Sequence, residues 1–247
     1  MKKKVLILGA TSKLCHETAR LFAKKGYDFE LVARNQEKLE TVAADLKAYG
    51  ASDVETTVVD FKDLGAVSEL AGSVTGADKK PSYILIGHGV LTDQVKAKED
   101  ESLLGEEIMV NFYSASLFLT KIKKWAETCP GLSIGVITSV AGDRGRQSNY
   151  VYGATKAGMS AFTDGYRAEL ARKGVRVTNI KPGPVRTPMT AGLEAGKGTM
   201  AEASDVGRDI FTAMEKGRKV LYTPFKWALI MFVIRLIPSF IFDRLKI

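Results

Sequence analysis

Apolar residues along this chain fall into two alternating rhythms. Short, unbroken runs rich in β-branched residues and leucine are separated by longer stretches whose apolar positions recur three and four apart. The runs predict strands near Val5–Leu8, Phe29–Ala33, Glu55–Val59, Tyr83–Ile86, Ser133–Thr138, Val175–Ile180 and Lys219–Thr223. The stretches predict helices over Lys13–Lys25, Asn35–Tyr49, Leu64–Val74, Glu101–Glu127, Asn149–Lys173 and Asp205–Lys216. Strict βαβα order requires crossover connections. The expected architecture is therefore α/β: a doubly wound, seven-stranded parallel sheet with helices on both faces.

No repeat, low-complexity tract or linker divides the chain, so residues 1–224 are expected to form one domain. Two segments stand outside the alternation. The loop 182–203 is rich in Gly, Pro and Thr, and the tail 225–247 is apolar. Each follows the C-terminal end of a strand, the edge where ligands of such sheets bind, so both are candidates for touching a substrate.

The tail carries an unbroken apolar run from Trp227 to Ile234, followed by Arg235 and Pro238. A spanning helix needs about 20 apolar residues, and this one is interrupted first. Arg235, Ser239, Asp243 and Lys246 recur at helical spacing as a narrow polar stripe, while Pro238 should kink or split the helix. Such an element suits an interface. It could lie in lipid headgroups, with Lys226, Arg235, Arg244 and Lys246 reaching anionic lipid, or it could cover the substrate cleft or a second subunit.

Composition adds a charge argument. Among 247 residues, 36 Lys and Arg against 28 Asp and Glu leave a net charge of +8, and 45% apolar content supports a packed core. Disordered and fibrous classes are excluded. The positive balance suits any anionic ligand, but the lysines are dispersed along helices without aromatic interleaving, so no nucleic-acid partner is expected. Cys15 and Cys129 stand far apart and support neither a disulfide framework nor a metal site. A cytoplasmic protein is expected, with peripheral attachment to the inner face of the cell membrane as a further option through 225–247. Met1–Lys4 runs directly into an apolar stretch too short for an export signal.

The turn after the first strand reads Gly9, Ala10, Thr11, Ser12, Lys13, Leu14, Cys15, and opens a helix whose free N–H groups could receive a pyrophosphate. Glycine is sparse here: Lys13 and Cys15 stand where a Gly-x-x-x-Gly-x-Gly spacing would put it. Lys13 could fold outward toward a phosphate, and Cys15 is small enough for close packing. The same turn could also serve with no ligand. After the second strand, Arg34 offers a forked guanidinium to a ribose 2′-phosphate where an acid would repel it, which favours NADP(H) over NAD(H). A solvated arginine at a helix start is the alternative. Asp60, closing the third strand, could accept from an adenine amino group or cap the next helix.

The strongest signal is Tyr152-Gly153-Ala154-Thr155-Lys156, preceded by Ser139 at the end of the fifth strand. Tyr and Lys four apart share a helical face, so an ammonium can lie near a phenol that Ser139 approaches from the strand end. Positive charge near that phenol favours proton exchange, making Tyr152 a candidate acid. Tyr150 has no lysine one turn away and reads as a pocket or packing aromatic.

With these residues in this order the chain resembles the short-chain dehydrogenase/reductase family from Val5 to about Pro224. The resemblance implies a Rossmann fold in which Tyr152 exchanges the proton of the substrate oxygen and Ser139 holds that oxygen. Lys156 would bind the nicotinamide ribose and lower the tyrosine pKa. Asn111, in Met109-Val110-Asn111-Phe112, matches the helix asparagine that holds a relay water and completes the catalytic set. The cofactor set it implies is Gly9, Thr11, Ser12, Lys13, Leu14, Arg34, Asp60, Phe61, Gly87, Gly89, Tyr152, Lys156, Pro182, Gly183, Val185 and Thr187, with Thr187 at the carboxamide and the backbone near Val185 fixing the ring face. Ile86-Gly87-His88-Gly89 departs from the family's Asn-Asn-Ala-Gly. His88 has no second ligand near it and reads as structural or solvent-facing, so no metal is expected.

The turn Gly9-Ala10-Thr11-Ser12, the segment Ile86–Leu91 and the tail after Pro224 are also similar to the polyprenyl-phosphoryl keto-sugar reductases. That similarity implies an amphipathic substrate whose lipid chain runs along the tail. The expected function is NADP(H)-dependent reduction of a small-molecule or lipid-linked carbonyl to an alcohol, by a homodimer or homotetramer. The alternative is a catalytically weak NADP(H)-binding sensor or regulatory protein of the same fold.

Overall fold

A computed structural model describes residues 3–191 and 200–245. Its sheet is built from β1 (Lys4–Leu8), β2 (Asp28–Ala33), β3 (Val54–Val58), β4 (Tyr83–Ile86), β5 (Ser133–Ile137), β6 (Arg176–Pro182) and β7 (Val220–Thr223). All pairings are parallel, in the order β3-β2-β1-β4-β5-β6-β7. The order reverses between β1 and β4, and that switch opens a crevice at the C-terminal ends of the strands.

Alternate residues of one strand feed two cores. Val5 and Ile7 pack with α1 (Lys13–Ala23), α2 (Gln36–Ala48) and α8 (Ala203–Lys216). Leu6 and Leu8 pack with α3 (Leu64–Gly76), α6 (Ser114–Ala126) and α7 (Tyr150–Leu170). With both faces covered, the run Lys4–Leu8 is buried throughout, which is why it carries no polar alternation.

The helix expected over Glu101–Glu127 is not one helix. It divides into α5 (Glu101–Ile108), a π-helical turn (Met109–Tyr113) and α6, and a short α4 (Gln94–Glu99) precedes it. The π-turn inserts an extra residue per turn, which a 3.6-residue periodicity does not register. Strand β6 runs two residues beyond its expected end, through Pro182, because it pairs with β7 up to Thr223. Within the loop 182–203, residues 192–199 lie outside the described residues. The flanks form a bridge between Val185 and Ala201 and a 3₁₀ turn at Pro188–Thr190.

The tail splits as its proline predicts, into α9 (Lys226–Leu236) and α10 (Ser239–Phe242). Lys246, the last residue of the expected polar stripe, lies outside the described residues. Among the described residues no helix is long and apolar enough to cross a membrane.

Candidate active site

Parallel strands deliver their C-terminal ends to one edge, so residues far apart in sequence meet there. Gly9 follows β1, Arg34 follows β2, Asp60 lies beyond β3, Gly87 and Gly89 follow β4, and Ser139 follows β5. Gly9 has φ +84, and a Cβ there would lie 2.4 Å from the His88 backbone nitrogen, so only glycine permits the close approach of the two turns.

The opening turn suits a phosphate. Ser12 stands at the N-cap of α1 without a side-chain capping bond, which leaves the first-turn amides uncapped. Lys13 points outward and pairs with Glu17 Oε1 at 2.7 Å, clear of the crevice. Thr11 and Leu14 are partly buried, Leu14 against the core. Cys15 is fully buried, with its thiol pushed up to about 12 by burial. Its Sγ would lie 2.3 Å from a Cβ at position 87, so the missing glycine at 15 is matched by a glycine at 87.

At the end of β2, Arg34 is exposed. Asp60 is exposed too, and its Oδ1 accepts from Lys62 N at 3.0 Å. The cap of α3 offered as an alternative role for Asp60 falls instead to Asp63, whose side chain accepts from Ala66 N: the helix starts at Leu64, three residues later than a cap at Asp60 would need. Phe61 is buried and stacks on His88, with centroids 3.8 Å apart. His88 donates or accepts through Nε2 to Ser114 Oγ at 2.9 Å, and burial followed by the Lys156 charge pulls it down to about 3. It is neutral and structural, as a histidine between two apolar layers should be.

The four residues proposed for chemistry converge. Ser139 stands close enough to the Tyr152 phenol to draw its pKa down, and its Oγ accepts from Ala141 N at 3.1 Å. Lys156 Nζ lies 5.6 Å from the Tyr152 ring centroid and donates to Ile137 O at 3.2 Å. Burial lowers the ammonium to about 8 and raises the phenol to about 12, Ser139 opposing the latter. Asn111 is locked to one backbone unit: Oδ1 accepts from Val90 N at 2.7 Å and Nδ2 donates to Val90 O at 2.8 Å. The π-turn aims this side chain inward.

A match to the family model for short chain dehydrogenases spans residues 3–198. The chain belongs to the short-chain dehydrogenase family. An uncharacterized oxidoreductase of Mycobacterium tuberculosis is 33% identical over 98% of this chain and 96% of its own length. Sulfoacetaldehyde reductase 2 of Chromohalobacter salexigens is 31% identical over 81% of this chain and 79% of its own. A solved short-chain dehydrogenase from Sphingobium yanoikuyae in complex with NADPH shares the fold, with TM-score 0.82 at 20% identity, covering 98% of this chain and 96% of that one. As a member of this family the chain is an oxidoreductase with a Rossmann fold.

On the far side of this short-chain dehydrogenase's crevice stand Pro182 and Gly183, and Gly183 N donates to Thr223 O at 3.0 Å. Val185 is buried, and the Thr187 amide donates to Thr190 Oγ1 at 3.1 Å. Here the tail intervenes, as sequence reasoning did not foresee in detail. A Cβ at Gly183 would lie 2.0 Å from Trp227 Nε1, so the indole rests on this glycine. The loop after Ser139 grips the same segment: Arg144 Nη1 donates to Ile234 O at 2.6 Å and Ile237 O at 2.5 Å, capping α9, and its guanidinium lies 3.7 Å from the Phe242 centroid. Asp143 anchors that loop by accepting from Lys181 Nζ at 2.6 Å and Tyr222 OH at 2.7 Å. Sequence reading also missed Glu107, which is buried on α5. The signal was its position one turn before Asn111.

Proposed function

We propose that this short-chain dehydrogenase is an NADP(H)-dependent carbonyl reductase, with residues 1–224 as its catalytic domain. The observation that carries the proposal is the meeting of Ser139, Tyr152 and Lys156 at the C-terminal edge of the sheet, with the Lys156 amine 5.6 Å from the Tyr152 ring centroid. The residues present fit a dinucleotide: an uncapped helix start, a glycine turn pressed against His88, Lys13 folded out of the way and an exposed Arg34. Gly9, Thr11, Ser12, the backbone amide of Lys13 and Leu14 would hold the pyrophosphate. Arg34 would read the 2′-phosphate, and Asp60 and Phe61 would border the adenine. Gly87, Gly89, Tyr152 and Lys156 would face the nicotinamide ribose, with Pro182, Gly183, Val185 and Thr187 against the ring.

When bound, NADPH supplies the hydride that the carbonyl carbon accepts. Ser139 donates a hydrogen bond to the carbonyl oxygen and steadies its developing negative charge. Tyr152 delivers its phenolic proton to that oxygen, completing the alcohol. A phenol near 12 is protonated at neutral pH, the state a proton donor needs, and the buried Lys156 ammonium stabilises the phenolate left behind.

The substrate class we propose is a hydrophobic or polyprenyl-linked keto compound met at a membrane surface. Phe225, Leu229, Phe232, Val233, Leu236 and Phe240 are all exposed, so α9 and α10 present apolar side chains outward and only Met231 and Phe242 are buried. Exposed Lys226, Arg235 and Arg244 flank that face and suit anionic headgroups. Tyr152→Phe is expected to reduce turnover with a ketone panel by more than about a thousandfold. NADPH binding, followed by fluorescence titration, should stay within about threefold of the parent. Undiminished turnover would end the proposal.

A further inference from the structure

Glu107 is a buried carboxyl beside Asn111 and Lys156 to which no role has yet fallen. It is 1% exposed, whereas its neighbour Glu106 turns outward and pairs with Lys62 at 2.7 Å. Oε1 of Glu107 lies 3.5 Å from Asn111 Nδ2 and 3.4 Å from Thr92 N, both long for hydrogen bonds. Oε2 is buried with no hydrogen-bond partner among the described residues. A carboxylate so poorly solvated is costly unless a cation compensates it.

The neighbouring charges name that cation. The ionisable groups that interact with Glu107 or with its partner are Lys156 and Tyr152 on α7, Cys15 on α1 and His88 after β4. His88 is held neutral and Cys15 is a buried thiol, so Lys156 is the one cation of the set and Glu107 its one carboxyl. Lys156 is 5% exposed, and among the described residues its Nζ donates to one backbone carbonyl, Ile137 O. Asn111 stands between the two: its Nδ2 lies 3.5 Å from Glu107 Oε1, and at Gly89 the empty Cβ position lies 2.9 Å from Asn111 Oδ1 and 3.6 Å from Lys156 Nζ. A side chain at 89 would separate the amide that touches Glu107 from the amine.

We propose that Glu107 is a positioning residue for the proton transfer: its carboxylate is the buried countercharge that keeps Lys156 protonated beside Tyr152. Burial favours loss of the ammonium proton, and Glu107 opposes that loss. Burial raises the Glu107 carboxyl in turn, and Thr92 together with the Lys156 charge opposes the rise. The direct effect of Glu107 on Tyr152 is also to raise the phenol, which keeps the proton on the donor until the carbonyl oxygen takes it. The consequence for turnover rests on the carbonyl-reductase reading. The pairing with Lys156 does not.

Two measurements on the full chain separate those layers. In protein carrying ¹³C at glutamate Cδ, the signal lost in Glu107→Gln or Glu107→Asp is that of Glu107. Its midpoint should lie above those of the other glutamates, and Lys156→Met should raise it by about one further pH unit, a tenfold change in proton affinity. A midpoint indifferent to Lys156→Met would overturn the pairing. In the pH profile of kcat/KM for ketone reduction, Glu107→Gln should move the alkaline limb about one unit toward acid, with part of the shift recovered in Glu107→Asp. A lower rate with an unmoved limb would mark Glu107 as merely structural and overturn the proposal. Linked Glu107 and Lys156 midpoints in a protein that reduces no carbonyl would uphold the pairing while ending the carbonyl-reductase reading.

Discussion

Cys15 stands where a dinucleotide-binding turn ordinarily carries glycine, and its sulfur fills the space a side chain at position 87 would need. The two positions are therefore coupled, although they are far apart in sequence. Gly87→Ala should destabilise the protein by about 1–3 kcal/mol in urea unfolding, the usual penalty for forcing an extra methyl into a packed site. Cys15→Gly in the same chain should recover much of that loss, giving a coupling energy of about 1 kcal/mol or more in the double-mutant cycle. Independent, additive effects would show that the thiol is not what Gly87 accommodates. The residues proposed for chemistry differ in how readable they were. Tyr152 and Lys156 were legible because a helical i, i+4 spacing puts them on one face, and Ser139 because it follows a strand end at the edge where such sheets gather their sites. Glu107 was not, because a glutamate on a helix is ordinarily solvated, and only the packing of α5 against α7 encloses it.

Among the elements, the seven strands and five of the six long helices were legible to within a few residues, since a sheet buried on both faces leaves unbroken apolar runs, whereas the helix expected over Glu101–Glu127 divides. The π-turn at Met109–Tyr113 was not. It inserts a residue that the apolar spacing on either side conceals, and the inward aim of Asn111 toward the Val90 backbone accompanies it. The tail was half legible: Pro238 announced the break between α9 and α10, but nothing local announced Arg144 as the cap of α9. That cap carries a prediction. Arg144→Ala removes two charge-assisted bonds to Ile234 and Ile237, so amide hydrogen exchange across 226–242 should accelerate by about tenfold or more while the sheet stays protected. Exchange unchanged in the tail would mean that the loop after Ser139 does not hold it.

At the scale of the whole molecule, a net charge of +8 and an outward apolar face on α9 and α10 act together. Phe232→Asp with Leu236→Asp should cut co-sedimentation with phosphatidylglycerol vesicles by about tenfold, and the binding of the parent should weaken with added salt. Equal binding of parent and double variant would assign the face to another partner. The amino-acid sequence by itself determined the order of strands and helices, the parallel sheet and the shared helical face of Tyr152 and Lys156. Each of these follows from side-chain periods and spacings within a few residues, which the local backbone converts directly into geometry. Only the tertiary structure decided which glutamate is buried, which glycine yields to Cys15 or Trp227, and which face of the tail is left outward. Those outcomes depend on atoms brought together from distant parts of the chain, and no local spacing encodes who the neighbour will be.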